Sequence, residues 1–410
     1  MTNKSSLPVC RICGHKAHWL GSHLMSEHGL TVEEYLTMHE GAPTASKEAL
    51  EKFNARRKAR TLPPKLEDLT VEFAGTEFKV NTDVPLSVCA PPVPFYTPPK
   101  YGEQSENVED VFLHLDGDDS PIYVHGPAGT GKDACFQAYS NKTRTPCLMV
   151  QINPDVDVSK FLYSHEIGEK GTFYKEGKLL KALRDGYVTD KGERVPYLII
   201  LTDVDRMTEE QGEHLRMIID SVSGRIATPD GGMEKVLKGT RIVATANSAG
   251  NGSAGGRYAS SRVVDASIMS RFTFKFEYTT LHWKDEKPIL VDRFPILARH
   301  GGESLWGQVE KSVKAIRDAI NSDMGGIDME FGHRELVAWM KSTAIYAARD
   351  LKKGGKVKPD VLKRGFKTVL RSVEGTTRGD LERLVNAHIK GGIVDAGDTS
   401  HISDGELVDF

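Results

Sequence analysis

The chain has 410 residues, 39% hydrophobic and 27% charged, with a formal net charge of −3, a composition typical of a globular protein of about two or three domains. This charge balance excludes a globally basic nucleic-acid binder, and because no apolar run approaches about 18 residues we expect no membrane partner. Five cysteines, of which only Cys10 and Cys13 are close together, form no disulfide framework. They favour a reducing compartment, and with a polar amino terminus that lacks a signal-peptide core they predict a cytoplasmic location.

Two cysteines and two histidines near the amino terminus have the spacing of a zinc site. Two residues separate Cys10 from Cys13, nine separate Cys13 from His23, and four separate His23 from His28. Two such pairs are typical of tetrahedral Zn²⁺, which also stabilises a unit too small to depend on apolar burial. We predict a zinc finger over residues 7–45, with a helix over 19–27 that ends at Gly29. The alternative ligands are His15, His18 and His39.

The segment from Cys10 to Tyr35, with its short loop between the second cysteine and the first histidine, resembles the zinc-finger domain of the MucR/Ros family of bacterial regulators. The resemblance covers about a tenth of the chain and implies DNA binding. Members of that family depend on basic flanks, whereas the finger here contains only Arg11 and Lys16 as basic residues near its ligands.

Residues 46–100 are predicted to be a basic helix and a proline-rich linker with short strands. The strands are expected at 69–73 and 78–80, and the proline-rich part at 85–99. The helix could neutralise DNA phosphates. Alternatively it is a solvated linker, because acidic residues in the same segment reduce its net positive charge. Its basic residues are Lys47, Lys52, Arg56, Arg57, Lys58, Arg60 and Lys65.

A glycine-rich turn between an apolar strand and a helical pattern predicts a phosphate site. Glycines let backbone N–H groups point inward, the helix N-terminus adds positive charge, and a lysine reaches the β- and γ-phosphates of ATP. The turn lacks the usual final hydroxyl residue and has a carboxylate in its place. The loop consists of Gly126, Pro127, Ala128, Gly129, Thr130, Gly131, Lys132 and Asp133.

From 101 to 280, apolar strands alternate with helices, which predicts a parallel α/β sheet. Strands are expected at 122–125, 147–152, 197–202, 241–246 and 272–278. Asp203, the acidic group that a nucleotide site needs after its phosphate loop, follows the third of these strands. Asn247 follows the fourth strand, and its side chain is suited to orient the attacking water.

Several motifs in order resemble an AAA+ ATPase, within that class the MoxR branch, and most closely the CobS-like subunit of cobaltochelatase. They are the phosphate loop, Gly177–Gly186, Asp203–Arg206, Ser223–Ile226, Thr245–Asn247 and Ser270–Phe272. The resemblance implies an α/β AAA+ P-loop core with a helical lid at 281–390, ATP and Mg²⁺ as cofactors, and a hexameric ring. It also implies that Asn247 is sensor 1, Arg334 is sensor 2 and Arg271 is a finger for a neighbouring subunit, with Arg257 and Arg262 as rivals.

Alignment with that family reveals two departures. Asp133 replaces the hydroxyl residue that ends the loop, and Thr202 and Asp203 stand where Asp and Glu are usual. We therefore expect Asp133 to bind Mg²⁺, the Thr202 hydroxyl to hold a metal-bound water, and Asp203 to polarise the attacking water. The alternative is a site that binds nucleotide without hydrolysing it.

Helical patterns at 305–321, 334–352, 359–373 and 378–389 predict the lid, and residues 391–410 are expected to be a mobile tail. Three functions fit these features. The first is an ATP-driven remodelling motor with a von Willebrand-type metal-binding partner, recruited through the finger. The second is a motor subunit for metal insertion into a tetrapyrrole. The third is a DNA-directed ATPase of a phage or mobile element.

Overall fold

The computed structural model describes residues 7–47, 49–50, 69–168, 171–228, 232–252, 261–322, 329–354, 356–373 and 375–389. The chain divides into two compact units, Met1–Leu69 and Thr70–Phe410. Most of the predicted basic helix, the rival finger Arg257 and the tail at 391–410 lie outside the described residues. Among the helices of the described ranges, none combines the length and apolar character that crossing a membrane requires.

The first unit contains helices α1 (Gly21–His28) and α2 (Val32–Met38). Helix α1 starts two residues later than the predicted helix because Trp19 pairs with Ala45 in a β-bridge, and it ends at the left-handed Gly29, with φ of 64°. Thr31 and Glu34 cap α2 reciprocally. The small core of this unit consists of Cys10, Leu20, Leu24, Tyr35 and Ala42.

Within its described residues, the second unit contains one five-stranded sheet and four two-stranded ones. The strands are β1 (Thr70–Phe73), β2 (Thr76–Lys79), β3 (Ile122–His125), β4 (Cys147–Gln151), β5 (Tyr163–Gly168), β6 (Gly171–Glu176), β7 (Tyr187–Val188), β8 (Arg194–Val195), β9 (Leu198–Thr202), β10 (Arg225–Ala227), β11 (Met233–Lys235), β12 (Arg241–Ala246) and β13 (Phe274–Glu277).

The five-stranded sheet is parallel throughout, in the order β13-β3-β12-β9-β4. Every residue of β9 is buried, as expected for a central strand covered on both faces. Its alternate side chains enter two cores, with Ile199 and Leu201 on one face and Leu198 and Ile200 on the other. This arrangement places the carboxyl ends of β3, β9 and β12 side by side at one edge.

The helices of the second unit surround the sheet and continue into a carboxyl-terminal helical region. They are α3 (Glu103–Gly117), α4 (Lys132–Thr143), α5 (Ser159–Leu162), α6 (Lys178–Asp185), α7 (Glu209–Asp220), α8 (Ala266–Met269), α9 (Trp283–Arg293), α10 (Pro295–Asn321), α11 (His333–Gly354), α12 (Val361–Val369) and α13 (Gly375–His388). The helical region has its own core around Trp306, Trp339 and Phe366.

The segment before the sheet contains two short strands near the predicted positions. Phe73 of β1 and Phe78 of β2 are buried and pack against Phe112 of α3 in the same core as β3. Aromatic burial of this kind stabilises the domain, so residues from Thr70 onward belong to the second unit.

Candidate functional site

The predicted phosphate loop lies between β3 and α4, at the carboxyl edge of the sheet. Gly126 has φ of 144°, and a Cβ there would lie 2.1 Å from the carbonyl oxygen of Tyr278. Gly129 has φ of 81°, and a Cβ there would lie 3.2 Å from the Cβ of Arg334. Both positions therefore require glycine, because strand β13 follows one side of the loop and α11 packs against the other.

Lys132 is 8% exposed and folds back over this loop. Its Nζ donates to the carbonyl oxygens of Gly126 and Pro127 at 2.7 and 2.8 Å, and to Asn247 Oδ1 at 3.4 Å. Burial lowers the pKa of Lys132, while nearby carboxylates, Asp133 first, act to raise it. The lysine and the strand-end asparagine expected from the sequence therefore lie together.

Asp133 is half-buried at the start of α4, where its Oδ1 accepts a hydrogen bond of 2.6 Å from Thr245 Oγ1. Burial raises the pKa of Asp133, and the bond from Thr245 and the charge of Lys132 oppose that rise. The register that pairs Leu201 with Ala244 places Thr202 beside Thr245, at the ends of adjacent strands. The hydroxyl that contacts Asp133 is thus that of Thr245, a residue to which the sequence analysis assigned no role.

Asp203 follows β9 and has the left-handed φ of 57°, which is unfavourable for a residue with a Cβ. Its Oδ2 accepts from Gln151 Nε2 at 3.2 Å, and its charge acts on the pKa of both Lys132 and Asp133. Strained backbone of this kind persists where surrounding contacts hold it, often at functional sites. The predicted acid therefore lies within electrostatic reach of the loop.

Asp205 is a second residue of the candidate site to which the sequence analysis assigned no role. Its side chain is fully buried, and Oδ2 accepts hydrogen bonds from the main-chain N–H of Asn247 at 3.2 Å, from Ser248 Oγ at 3.2 Å and from Ser261 Oγ at 2.6 Å. These bonds tie the end of β9 to the end of β12 and so position Asn247. The Asp-x-Asp pattern in the sequence could have drawn attention to Asp205. Its burial could not be predicted, because it depends on chain segments distant in sequence.

The start of α11 docks on the phosphate loop. Besides the contact between Arg334 and Gly129, Glu330 Oε2 accepts from the main-chain N–H of Ala128 at 3.2 Å. The charge of Arg334 opposes the rise that burial causes in the pKa of Asp133, so its guanidinium acts on the same site. The structure therefore brings the predicted sensor-2 arginine to the loop.

A cavity of about 140 Å³ opens beside the loop residues Gly129 to Gly131. Its walls are largely apolar and aromatic and come from the proline-rich segment, including Phe95 and Tyr96, and from α9, including Ile289. A small apolar cavity next to a phosphate loop has the character of a site for the base of a nucleotide.

Arg271 lies at the opposite edge of the sheet. Its Nε donates to Asp220 Oδ2 at 2.8 Å, and it lines a surface recess with Pro121 and Lys238, which precede β3 and β12. The four-residue strand β3 is about 13 Å long, and this length separates the edge that holds Arg271 from the edge that holds the phosphate loop. Arg271 therefore does not reach the loop of its own chain. The main-chain N–H of the rival Arg262 donates to Asp205 O at 2.7 Å, and its side chain lines a different recess.

In the first unit, one ligand atom from each of Cys10, Cys13, His23 and His28 lies within 4.8 Å of the others. The distance from Cys13 Sγ to His23 Nε2 is 3.1 Å, and that from Cys10 Sγ to His28 Nε2 is 3.7 Å. Bonds of tetrahedral zinc to sulfur and nitrogen imply a separation of about 3.5 Å, so the residues fit this metal. The three other candidates are engaged otherwise: His15 stacks on His23, His18 bonds Ser46, and His39 packs on Tyr35.

Known proteins match parts of this chain. NirQ of Stutzerimonas stutzeri, a denitrification regulatory protein, is 27% identical over 104 residues, which are 25% of this chain and 36% of NirQ. NirQ of Pseudomonas aeruginosa is 30% identical over 93 residues, 23% of this chain and 34% of the relative. The chain thus spans about a third of the length of these relatives.

Two solved structures are also similar. The RuvB Holliday junction branch migration motor of Thermotoga maritima is 13% identical, with 65% of this chain and 69% of RuvB covered and a TM-score of 0.40. NtrX from Brucella abortus in complex with ADP is 15% identical, with 88% of this chain and 68% of NtrX covered and a TM-score of 0.38.

Residues 121–272 match the family described as AAA domain (dynein-related subfamily). The match begins just before β3 and ends just before β13, so it includes the phosphate loop, Asp203, Asn247 and Arg271. The chain therefore carries an AAA domain, built on the AAA+ P-loop fold with a five-stranded parallel sheet and a helical carboxyl-terminal region.

Proposed function

We propose that the protein is an oligomeric ATPase that couples ATP binding and hydrolysis to remodelling of a partner, and that it belongs to the MoxR branch with CobS-like features. The main observation is that Lys132 contacts Asn247 while Arg334 packs on Gly129, so cationic groups from the loop and the helical region meet at one phosphate site. In that site Lys132 and Arg334 bind the phosphates, and Asn247, held by Asp205, orients water. The partial similarity to a regulatory protein supports a remodelling role.

The direct test is phosphate release by the purified full chain with ATP and Mg²⁺, alone and with duplex DNA. We expect basal hydrolysis that DNA does not stimulate. Stimulation by DNA would instead favour a DNA-directed ATPase, and absence of both nucleotide binding and hydrolysis would refute the proposal. Addition of a von Willebrand-type metal-binding protein or of a cobaltochelatase large subunit then distinguishes a remodelling motor from a chelatase motor.

The oxygen donors at the loop fit Mg²⁺. Asp133 is a half-buried carboxylate, which needs a cation if a triphosphate is to lie nearby, because like charges about 4 Å apart repel by about 4 kcal/mol at an effective dielectric of 20. Asp133 would hold the metal and Thr202 a water on it, with the Thr245 hydroxyl orienting the carboxylate. When bound, Mg²⁺ neutralises charge on the phosphates. Asp203 then polarises the attacking water.

This exchange of roles between positions 133 and 202 is testable. Asp133→Ser and Thr202→Asp should each reduce Mg²⁺-dependent hydrolysis by about 10- to 100-fold. The reason is that the site needs one carboxylate and one hydroxyl at these two positions, and each single variant removes one of them. The double variant should recover activity, because it restores the usual hydroxyl and carboxylate. The measurement is the hydrolysis rate against Mg²⁺ concentration, with exposed Asp292→Ser in α9 as the control. Higher activity of Asp133→Ser alone would contradict the exchange.

We propose that Arg271 completes the site of a neighbouring subunit in a hexamer, since it lies at the sheet edge opposite its own loop. Arg271→Ala should lower the hydrolysis rate by about 10- to 100-fold without changing ATP affinity, because a charged hydrogen bond to the reacting phosphate is lost. Each interface takes Lys132 from one subunit and Arg271 from its neighbour. When Arg271→Ala subunits are mixed with an equal amount of Lys132→Ala subunits, about a quarter of the interfaces therefore contain both native side chains. Partial recovery of activity is therefore expected.

The measurement is hydrolysis by the mixed assembly, with mixing verified by mass. Arg262→Ala is the matched control and should keep its activity. Native activity of Arg271→Ala, or no recovery in a verified mixture, would show that Arg271 is not the trans residue.

We propose that the first unit binds one Zn²⁺ and recruits a protein partner. Within 7–47 its charges do not favour phosphate binding, since three basic side chains face four acidic ones: Arg11, Lys16 and Lys47 against Glu27, Glu33, Glu34 and Glu40. DNA remains an alternative through residues 52–65, which lie outside the described part of the chain.

A further inference from the structure

The end of α11, the whole of α12 and the segments around them form a strongly basic stretch. Between positions 349 and 371 there are nine basic and two acidic residues, although the formal net charge of the whole chain is −3. Both acidic side chains, Asp350 and Asp360, bind Arg364. The stretch therefore has no further carboxylate for its other eight basic side chains. These eight residues form what we call the basic patch: Arg349, Lys352, Lys353, Lys356, Lys358, Lys363, Lys367 and Arg371.

The contact between Asp350 and Arg364 determines how the patch is assembled. Asp350 is only 6% exposed, and its Oδ1 accepts a hydrogen bond of 3.2 Å from Arg364 Nη1. Its Oδ2 accepts from the main-chain N–H of Lys358 at 3.1 Å. The two helices are in close contact, because a Cβ on Gly365 of α12 would collide with Thr343 of α11. One buried carboxylate thus holds the end of α11, the following segment and α12 together.

Cations lie on both sides of this ion pair. Lys353 follows Asp350 by three residues and Lys367 follows Arg364 by three, so each lysine lies on the helix face that carries the ion pair. Both lysines are exposed, and within the described part of the chain neither of them forms an ion pair. Positive side chains of two helices therefore share one exposed surface.

Helix stability does not account for all of this charge. Lys352 and Lys353 lie in the last turn of α11, where the helix dipole favours cations. Lys363, in contrast, lies in the first turn of α12, which contains no acidic residue, and the dipole disfavours a cation there. A position that carries positive charge against the local preference points to an anionic partner.

The side chains around the patch disfavour a protein or a membrane as that partner. Protein interfaces depend on aromatic or aliphatic anchors, and membrane-binding helices present an apolar face to the lipid. Among the described residues from 349 to 371, no large hydrophobic side chain is exposed, and the single exposed Ile345 lies one turn before them. The apolar face of α12, with Val361, Leu362 and Phe366, is buried in the core of the helical region. A surface that offers charge alone suits the backbone of a nucleic acid.

The aromatic side chain beside the patch is not available for stacking. Proteins that bind single strands stack unpaired bases on aromatic rings. Tyr346 of α11 is covered by Arg364, whose guanidinium carbon lies 5.1 Å from the centre of the ring. Lys363 and Lys367 instead lie about 6 Å apart along α12, so that they reach different phosphates. These features favour a duplex over a single strand.

We propose that the basic patch binds the phosphate backbone of duplex DNA without reading its base sequence. Arg349, the first residue of the patch, lies 16 residues after the start of α11 at the phosphate loop, which is about 24 Å along the helix. This distance is about three Debye lengths at physiological ionic strength. DNA on the patch therefore leaves the rate of ATP hydrolysis unchanged. Binding of DNA here requires no nucleotide and is independent of the proposed ATPase function.

The test measures binding of the full chain to a fluorescein-labelled DNA duplex by fluorescence anisotropy, without nucleotide. Two duplexes of unrelated sequence and about 30 base pairs are compared while salt is varied from about 50 to 200 mM. We expect a Kd of about 1 to 10 μM at the lowest salt, the same for both sequences. If about four cations contact phosphates, affinity should fall about 100-fold over this range of salt, because DNA binding releases counterions.

Matched double variants assign the binding to the patch. Lys363→Gln/Lys367→Gln and Lys352→Gln/Lys353→Gln each remove two cations of the patch. Each should weaken binding at least about 10-fold at about 100 mM salt and reduce the dependence on salt. Lys311→Gln/Lys314→Gln removes two exposed lysines from α10 and should bind as the wild type does. All three variants should keep the melting temperature of the wild type, since they change side chains outside the core.

Absence of duplex binding by the wild type at about 50 mM salt would overturn the proposal, and so would equal weakening in the α10 control. An effect confined to one of the two helices would show that they do not form a single surface. If the patch variants bind normally while Arg56→Gln/Arg57→Gln does not, the DNA site lies in the first unit instead. Tighter binding of single-stranded DNA, or of phosphatidylserine vesicles, than of the duplex would assign the patch to a different partner.

Discussion

Replacement of Lys132 by alanine is expected to abolish nucleotide binding. Lys132 is the buried cation of the loop, and its Nζ contacts two loop carbonyls and Asn247. An ammonium at this point makes charge-assisted bonds to phosphate oxygens worth about 1.5 to 3 kcal/mol each. Loss of two such bonds weakens ATP binding by about 1000-fold. Calorimetric titration of the full chain with ATP and Mg²⁺ measures this loss directly.

The control is Lys142→Ala at the other end of α4, where the ammonium lies 5.4 Å from the centre of the Phe73 ring. That variant should bind ATP as the wild type does, since it changes the same residue type on the same helix away from the loop. Undiminished ATP binding by the Lys132 variant would remove the basis of the proposed function. A shared loss of binding in both variants would indicate damage to α4 rather than loss of a phosphate contact.

Removal of one thiolate from the finger is expected to release its metal and unfold the first unit. The wild-type chain should contain about one zinc per molecule, and Cys13→Ser should contain almost none. Metal binding in small zinc domains contributes about 10 to 16 kcal/mol of folding free energy, far more than the five-residue core of this unit supplies. Metal analysis and limited proteolysis measure the two effects, with new cleavage expected within 7–47 and none between Thr70 and the start of α4.

Cys147→Ser is the matched control, because this cysteine lies on β4 in the second unit. The Cys147→Ser variant should retain its zinc. The His15→Ala variant should also retain zinc, because His15 stacks beside the cluster without belonging to it. A wild-type protein without zinc, or zinc retained in Cys13→Ser, would contradict the prediction. ATP binding by the Cys13 variant should stay intact, because the phosphate loop lies in the other compact unit.

Much of the core could be predicted because its signals are local. The strand at Ile122–His125 agrees with prediction at both ends, as does the strand at Arg241–Ala246, since short apolar runs bounded by turn residues specify buried strands. The AAA+ fold is confirmed by the family match and the strand order. Helix α9 was missed because Pro288 lies inside it, and α10 begins earlier than predicted because its first turns precede a break at Gly302, with φ of 53°.

The sequence by itself determined the phosphate loop, the Cys and His spacing of the finger and the order of strands and helices, because each depends on residues a few positions apart. Tertiary structure alone decided which hydroxyl contacts Asp133, that Asp205 is buried under Asn247, and that Glu286 orients His333. These groups are 42 to 112 residues apart in the chain. No local pattern encodes such pairs, since they meet only where parallel strands end at one edge and the helical region packs on the loop.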